Sequence, residues 1–198
     1  MSHGEAGLDH HTTTGLPSVK MLMWAFIGSE TMLFGTLITT YMVYHGSART
    51  GPYPADLLSV PFITVTTFVL LMSSLMMVLA LSAVQRDQKK WMRVWLFMTP
   101  FFGIIFLAGQ VIEFTHFYNE GLTLGQNIFG STFFTLTGFH GAHVTVGVIW
   151  LLTLWVQALR GKLDSSDSLT VEIAGLYWHF VDVVWIVLFT IIYLMQDV

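Results

Sequence analysis

Five stretches of this chain, residues 21–44, 60–84, 94–117, 131–157 and 173–195, stay apolar long enough to cross a bilayer, which takes about 20 residues of helix. Inside hydrocarbon every backbone N–H and C=O must be satisfied by the chain itself, so runs of this length read as transmembrane helices. The expectation is an all-α, polytopic membrane protein with five spans. Composition agrees, with 54% hydrophobic and only 10% charged residues among 198, too little polar surface for a soluble chain. Residues 1–19 form a polar N-terminal tail whose acids and missing apolar core exclude a signal peptide. Residues 20–198 are the transmembrane domain, and function must lie in that bundle or in its partners.

Charge gives an orientation. With five spans, Lys20, Arg86, Lys89, Lys90, Arg93, Arg160 and Lys162 share one side, and Arg49 is left on the other. Basic residues collect on the cytoplasmic side, so the reading is N-inside, C-outside. Trp91, Trp95, Tyr177 and Trp178 fall near inner helix ends and Tyr41, Tyr44 and Tyr193 near outer ones, the places of an aromatic interfacial belt. The net charge of −4 and the lack of a basic patch offer nothing to nucleic acid. With no cysteine, the chain has no thiolate for a disulfide, an iron–sulfur cluster, a bridged copper centre or c-type haem attachment.

The polar residues within the spans are the candidates for function. Glu30, in "GSETMLFG", lies near mid-depth, where a carboxyl is expected to be neutral or paired because burial disfavours its charge. Thr31, Gly35 and Thr39 follow at four-residue spacing as a small-residue seam for close helix packing. The second span holds only hydroxyls, Thr64, Thr66, Thr67, Ser73 and Ser74, each expected to bond back to its own helix. The third contains Pro100, an expected kink, and ends in Gln110, Glu113 and His116 at i,i+3 steps, read as an outer-end cluster reaching headgroups and water. In the fourth, His140 and His143 sit one turn apart among small residues. In the fifth, His179 and Asp182 share a face, suiting either an ion pair or hydrogen bond that neutralises Asp182 and docks the helix on its neighbours, or a proton relay. Trp178 and Trp185 bracket Asp182, and both indoles can donate. None of these sets is read as a metal site or as catalytic.

Taken together and in order, "GSETMLFG", "EFTHFYNEG", "GSTFFTLTGFHGAHVTVG" and "YWHFVDVVWIVLFTIIYL" resemble subunit III of the haem–copper terminal oxidases, over roughly residues 20–195. The resemblance implies a non-redox subunit of a proton-pumping complex that oxidises cytochrome c or a quinol and reduces oxygen to water. It implies haems and copper in partner subunits and none in this chain. It further implies packing against the catalytic subunit I and other oxidase subunits, bound phospholipid, support of assembly and sustained proton uptake, and a place in the bacterial inner membrane. His140 and His143 then read as structural, and Glu30 matches the family's buried carboxyl. A Glu30 pair with His143 or His140 across helices is expected. The mitochondrial form has two further N-terminal helices that wall a lipid cleft; this chain resembles the five-helix bacterial type, in which the second wall comes from another subunit or the lipids are bound differently. Two other readings stand beside this one. One is an accessory subunit of nitric oxide reductase. The other is a haem-binding membrane anchor using His140, His143 or His179.

Overall fold

In the computed structural model, which describes residues 15, 17–44, 60–119 and 128–195, each apolar run becomes one helix. They are α1 (Ser18–Tyr44), α2 (Val60–Gln85), α3 (Lys89–Asn119), α4 (Ile128–Leu159) and α5 (Ser168–Phe189). A 3₁₀ turn, Ser165–Asp167, leads into α5, and a π-helical turn, Thr190–Leu194, continues it. Five helices among the described residues are long and apolar enough to cross a membrane. Most begin or end a few residues beyond the apolar run, because a terminal turn accepts polar residues: α3 starts at Lys89, five positions before 94. The expected tail lies almost wholly outside the described residues, as do the connections 45–59 and 120–127.

The helix ends follow from local chemistry. Gly161, at φ +68°, closes α4 with paired bonds, Gly161 N–H to Ala158 O and Lys162 N–H to Gln157 O, the Schellman arrangement that needs a left-handed residue. Asp87 does the same for α2 at φ +49°, with Asp87 N–H to Val84 O and Gln88 N–H to Ala83 O. A side chain in that conformation costs about 1–2 kcal/mol, and glycine's extra chain entropy about 0.5–1. Asp87→Gly is therefore expected to stabilise the α2–α3 turn by about 0.5 kcal/mol, checked by detergent unfolding midpoints. Before α5, Asp164 Oδ1 accepts from Ser166 N–H at 2.8 Å and from Ser166 Oγ at 2.6 Å. These bonds hold the exposed Asp164 carboxyl below its ordinary range.

Within the bundle α2 packs on α3 and α5, α3 on α4, and α5 also on α4. α1 lies against α4 and α5 and buries only Met23, Phe34 and Tyr41. Its N-terminal end is tied to α5 by Lys20 Nζ and Glu172 Oε1 at 2.5 Å. The small-residue seam of α1 does not face its neighbours. Gly28, Thr31, Gly35 and Thr39 are exposed, and a Cβ added at Gly28 or Gly35 would meet nothing within 4 Å. Thr31, Thr36, Thr39 and Thr40 bond to carbonyls one turn back in their own helix, leaving this face smooth and without free donors.

The close approaches lie elsewhere. Trp178 fills the centre of the bundle, where α3 and α4 come near enough only because they present Gly103 and Gly147 to it. An added Cβ would stand 2.6 Å from the Trp178 ring at Gly103 and 2.8 Å at Gly147. α3 runs unbroken through Pro100, which is itself buried and removes one backbone donor. Of the residues expected at interfacial depths, Tyr41, Tyr177, Trp178 and Tyr193 are buried between helices, whereas Trp91 and Tyr44 are exposed. Apolar surface is no guide here, because in lipid the rings with polar tips are drawn inward by partners on other helices.

Candidate functional site

Three groups of polar side chains join the helices. The first lies between α1 and α4. His143 Nε2 stands 3.2 Å from Glu30 Oε2, and its Nδ1 is 2.7 Å from Phe139 O on its own helix. Both side chains keep a little exposure, 18% for His143 and 17% for Glu30. Tyr177 of α5 donates to His143 O at 2.9 Å, so three helices converge there. Of the two partners expected for Glu30, the bond goes to His143. Beside the pair runs an apolar groove of about 470 Å³ between Leu22, Met23 and Phe26 of α1 and Ala142, Val146 and Trp150 of α4. His143 and Tyr177 complete its wall.

His140 sits one turn away yet plays a different part. Its ring is fully buried, stacked on Trp185 with centroids 4.9 Å apart and met edge-on by Phe106 and Phe34. Neither ring nitrogen has a hydrogen-bond partner among the described residues. An axial haem ligand needs an open coordination face of macrocycle size, and this aromatic enclosure offers none. His143 has both nitrogens engaged. Among the described residues no group of three or more His, Cys, Asp or Glu is placed to hold a metal ion.

The second group joins α2 to α5 and changes the reading of both helices. Trp178 Nε1–H donates to Ser73 Oγ at 2.9 Å, and Trp185 Nε1–H donates to Thr67 Oγ1 at 2.9 Å. Ser74 Oγ bonds to Asp182 Oδ2 and lies 2.9 Å from His179 Nδ1. Among the described residues no ion pair joins His179 to Asp182: a hydroxyl of the neighbouring helix stands between them. Of the ion pair or hydrogen bond expected to dock Asp182, the structure has a hydrogen bond, made to Ser74 of α2 rather than to His179, and the two indoles donate to Ser73 and Thr67 rather than to Asp182. The α2 hydroxyls were expected to serve only their own helix. Thr64, Thr66 and Ser73 do bond back, but Thr67, Ser73 and Ser74 also receive α5. One hydroxyl can donate to its own backbone while accepting from a partner, so the local bond does not use the side chain up.

The third group lies toward the other end of α3. Gln110 Nε2 donates to Thr137 O at 2.8 Å, and Tyr193, on the π-turn, donates to Glu113 Oε2 at 2.9 Å. Gln110 and Glu113 are buried, while His116 is exposed. The expected outer cluster reaching water therefore splits. Steps of three place Gln110 and Glu113 on the face toward α4 and α5, and by His116 that face has drifted out of contact. Gly141 makes room for Gln110: an added Cβ would stand 2.8 Å from its Oε1.

Helix association in lipid draws on packing and interhelical hydrogen bonds, the latter averaging about 0.6 kcal/mol each. Four such bonds on the α2–α5 seam amount to about 2–3 kcal/mol, comparable with the packing of one buried tryptophan. The polar interior is thus of the right size to fix which helices pair and in what register.

The model of the cytochrome c oxidase subunit III family matches residues 3–196, almost the whole chain. The chain belongs to that family. Among its relatives, the quinol oxidase subunit 3 of Bacillus spizizenii is 36% identical over 200 residues, covering 98% of each chain. The cytochrome c oxidase subunit 3 of Alkalihalophilus pseudofirmus is 38% identical over 175 residues, covering 87% of this chain and 84% of the relative. A probable quinol oxidase subunit 3 of Staphylococcus saprophyticus is 35% identical, covering 98% and 96%. As a subunit III, the chain is one part of a membrane complex with other oxidase subunits, and neither the nitric oxide reductase reading nor the haem anchor is favoured. Among the segments that first suggested the family, "GSETMLFG" carries Glu30, and "GSTFFTLTGFHGAHVTVG" and "YWHFVDVVWIVLFTIIYL" carry the histidine, tryptophan and aspartate contacts above.

Sequence reasoning missed Thr67, Ser73 and Ser74 as partners of α5. A usable signal existed, since hydroxyls at 67, 73 and 74 match polar groups at 185, 178 and 182 when the two helices run antiparallel.

Proposed function

We propose that this chain is the non-redox subunit III of a bacterial haem–copper terminal oxidase, with its N-terminus inside and its C-terminus outside the cell membrane. It packs against the catalytic subunit I, which holds haem and copper with the other oxidase subunits, and it supports assembly and sustained proton uptake. The observation that carries the reading is the use made of the polar interior. Glu30, His143, Ser74, Asp182, Gln110 and Glu113 are bonded between helices. What the bundle leaves unpartnered is a surface: the exposed small-residue face of α1 suits close approach by a helix of a neighbouring subunit. The apolar groove between α1 and α4 suits an acyl chain of a phospholipid, with a partner subunit covering its open side. Relatives bear the names of both quinol and cytochrome c oxidases, and the electron donor is set by the other subunits.

The test is to isolate the intact complex in mild detergent and identify its subunits, haems and lipids. Glu30→Gln weakens one contact between α1 and α4, on the order of 0.6–2 kcal/mol. The expected result is unchanged haem content and initial oxygen consumption, with faster inactivation during turnover and easier loss of this subunit. Immediate loss of oxygen reduction in a fully assembled complex would overturn the supporting role.

A further inference from the structure

The α2–α5 seam contains one contact unlike its neighbours. At Trp178–Ser73 and Trp185–Thr67 an indole can only donate, so the bond has a fixed direction and works as a latch. At Ser74 every member can both give and take a proton. The hydroxyl has one proton and two acceptor positions, and it touches Asp182 Oδ2 on one side and His179 Nδ1 on the other. It can therefore donate to only one of them at a time.

We propose that Ser74 links the buried carboxyl of Asp182 to the imidazole of His179 as a proton relay. In one state Asp182 carries the proton on Oδ2 and donates it to Ser74 Oγ, whose own proton is donated to Nδ1 of a neutral His179. In the other, the Oδ2–H bond has broken as a new Oγ–H bond forms, and the old Oγ–H bond has broken as Nδ1–H forms. One proton has passed from carboxyl to imidazole, leaving a carboxylate and an imidazolium, and no heavy atom has moved. Loss of the Nε2 proton to a water molecule at the half-buried edge of the ring completes the transfer, leaving a neutral imidazole protonated on Nδ1.

Burial sets the direction in which the relay serves. Asp182 is 3% exposed and its Oδ1 has no hydrogen-bond partner among the described residues, so the bond to Ser74 is the route by which this carboxyl exchanges. His179 is only half-buried. It stands one turn from Val183, which is exposed together with Ile186 and Val187 on the same side of α5. The imidazole is thus the end of the cluster nearest the outside of the bundle, and the hydroxyl is its connection inward. A structural latch would need none of this reversibility.

Proton exchange, not turnover, is the readout, so failure of the relay is distinguishable from failure of the oxidase reading. In the intact purified complex, infrared spectroscopy identifies the protonated-carboxyl band that Asp182→Asn removes, and transfer to D2O times its deuterium shift. Ser74→Ala is expected to keep the band and slow its exchange by about tenfold or more. Ser74→Thr, which restores the hydroxyl, is expected to return the rate to that of the native complex. His179→Gln retains hydrogen bonding but cannot take up a proton, and is expected to be slow as Ser74→Ala is. Equal exchange rates in the native, Ser74→Ala and His179→Gln complexes would overturn the relay. So would the absence of any protonated-carboxyl band sensitive to Asp182→Asn.

Discussion

Trp178→Ala will cost this chain about 3–5 kcal/mol, the largest loss expected from any single truncation in the bundle. The ring is wholly buried, touches α3 at Gly103 and α4 at Gly147, and bonds through Nε1 to Ser73 of α2. Truncation opens a cavity at the meeting of four helices. The two glycines facing it have no side chains with which to collapse inward, so relaxation is limited and the cost falls high in the range. The hydrogen bond adds less, about 0.6 kcal/mol, because Ser73 retains its bond to Leu70 O. Trp178→Phe should therefore lie much closer to the native chain than to Trp178→Ala. Denaturation in mixed detergent micelles, followed by helicity, checks the order. An alanine variant within about 1 kcal/mol of native would mean that the centre is loosely packed.

Gly103→Val is the converse experiment, and its expected cost is about 1–3 kcal/mol or more. The first added carbon alone would come 2.6 Å from the Trp178 ring and 2.9 Å from Val148, so either α3 must move away or the indole must leave its rotamer. The informative measurement is the combination with Trp178→Leu. If collision with the ring is the cause, the double variant will be clearly more stable than the sum of the single losses, by about 0.5–3 kcal/mol. Simple additivity would place the cause elsewhere. Gly35→Ala is the control: its Cβ meets nothing within 4 Å, and the isolated chain should unfold as the native one does.

How much of this was legible beforehand depended on what each residue answered to. Span number and position followed from length and hydropathy, because a bilayer imposes one period and one thickness on every helix. The partner of Glu30 was narrowed to two histidines by depth alone, but the choice of His143 over His140 depended on helix rotation. Rotation is set by the packing of all five helices at once. The same variable sent the α1 seam outward, drew Glu113 into the core and turned His116 away. Hydroxyls gave the weakest signal: Ser74 and Thr64 look alike in sequence, yet one joins α5 and the other serves its own helix. Hydrophobic patterning, which sorts faces in soluble proteins, does little when both faces meet apolar surroundings.

The position of α1 has a consequence for how the protein is made. Its packing partners are α4 and α5, both synthesised after α2 and α3. After Tyr44 leaves the ribosome, roughly 80 residues must follow before α4 begins, which at 5–20 residues per second is about 4–16 s. Throughout that interval α1 resides in the bilayer with Glu30 and Lys20 still waiting for His143 and Glu172. α2 and α3 pack on each other, so their hairpin can form in the meantime without its help. Biogenesis therefore runs out of chain order, with the first helix captured last, and an insertion factor or an already inserted partner subunit has those seconds in which to hold it.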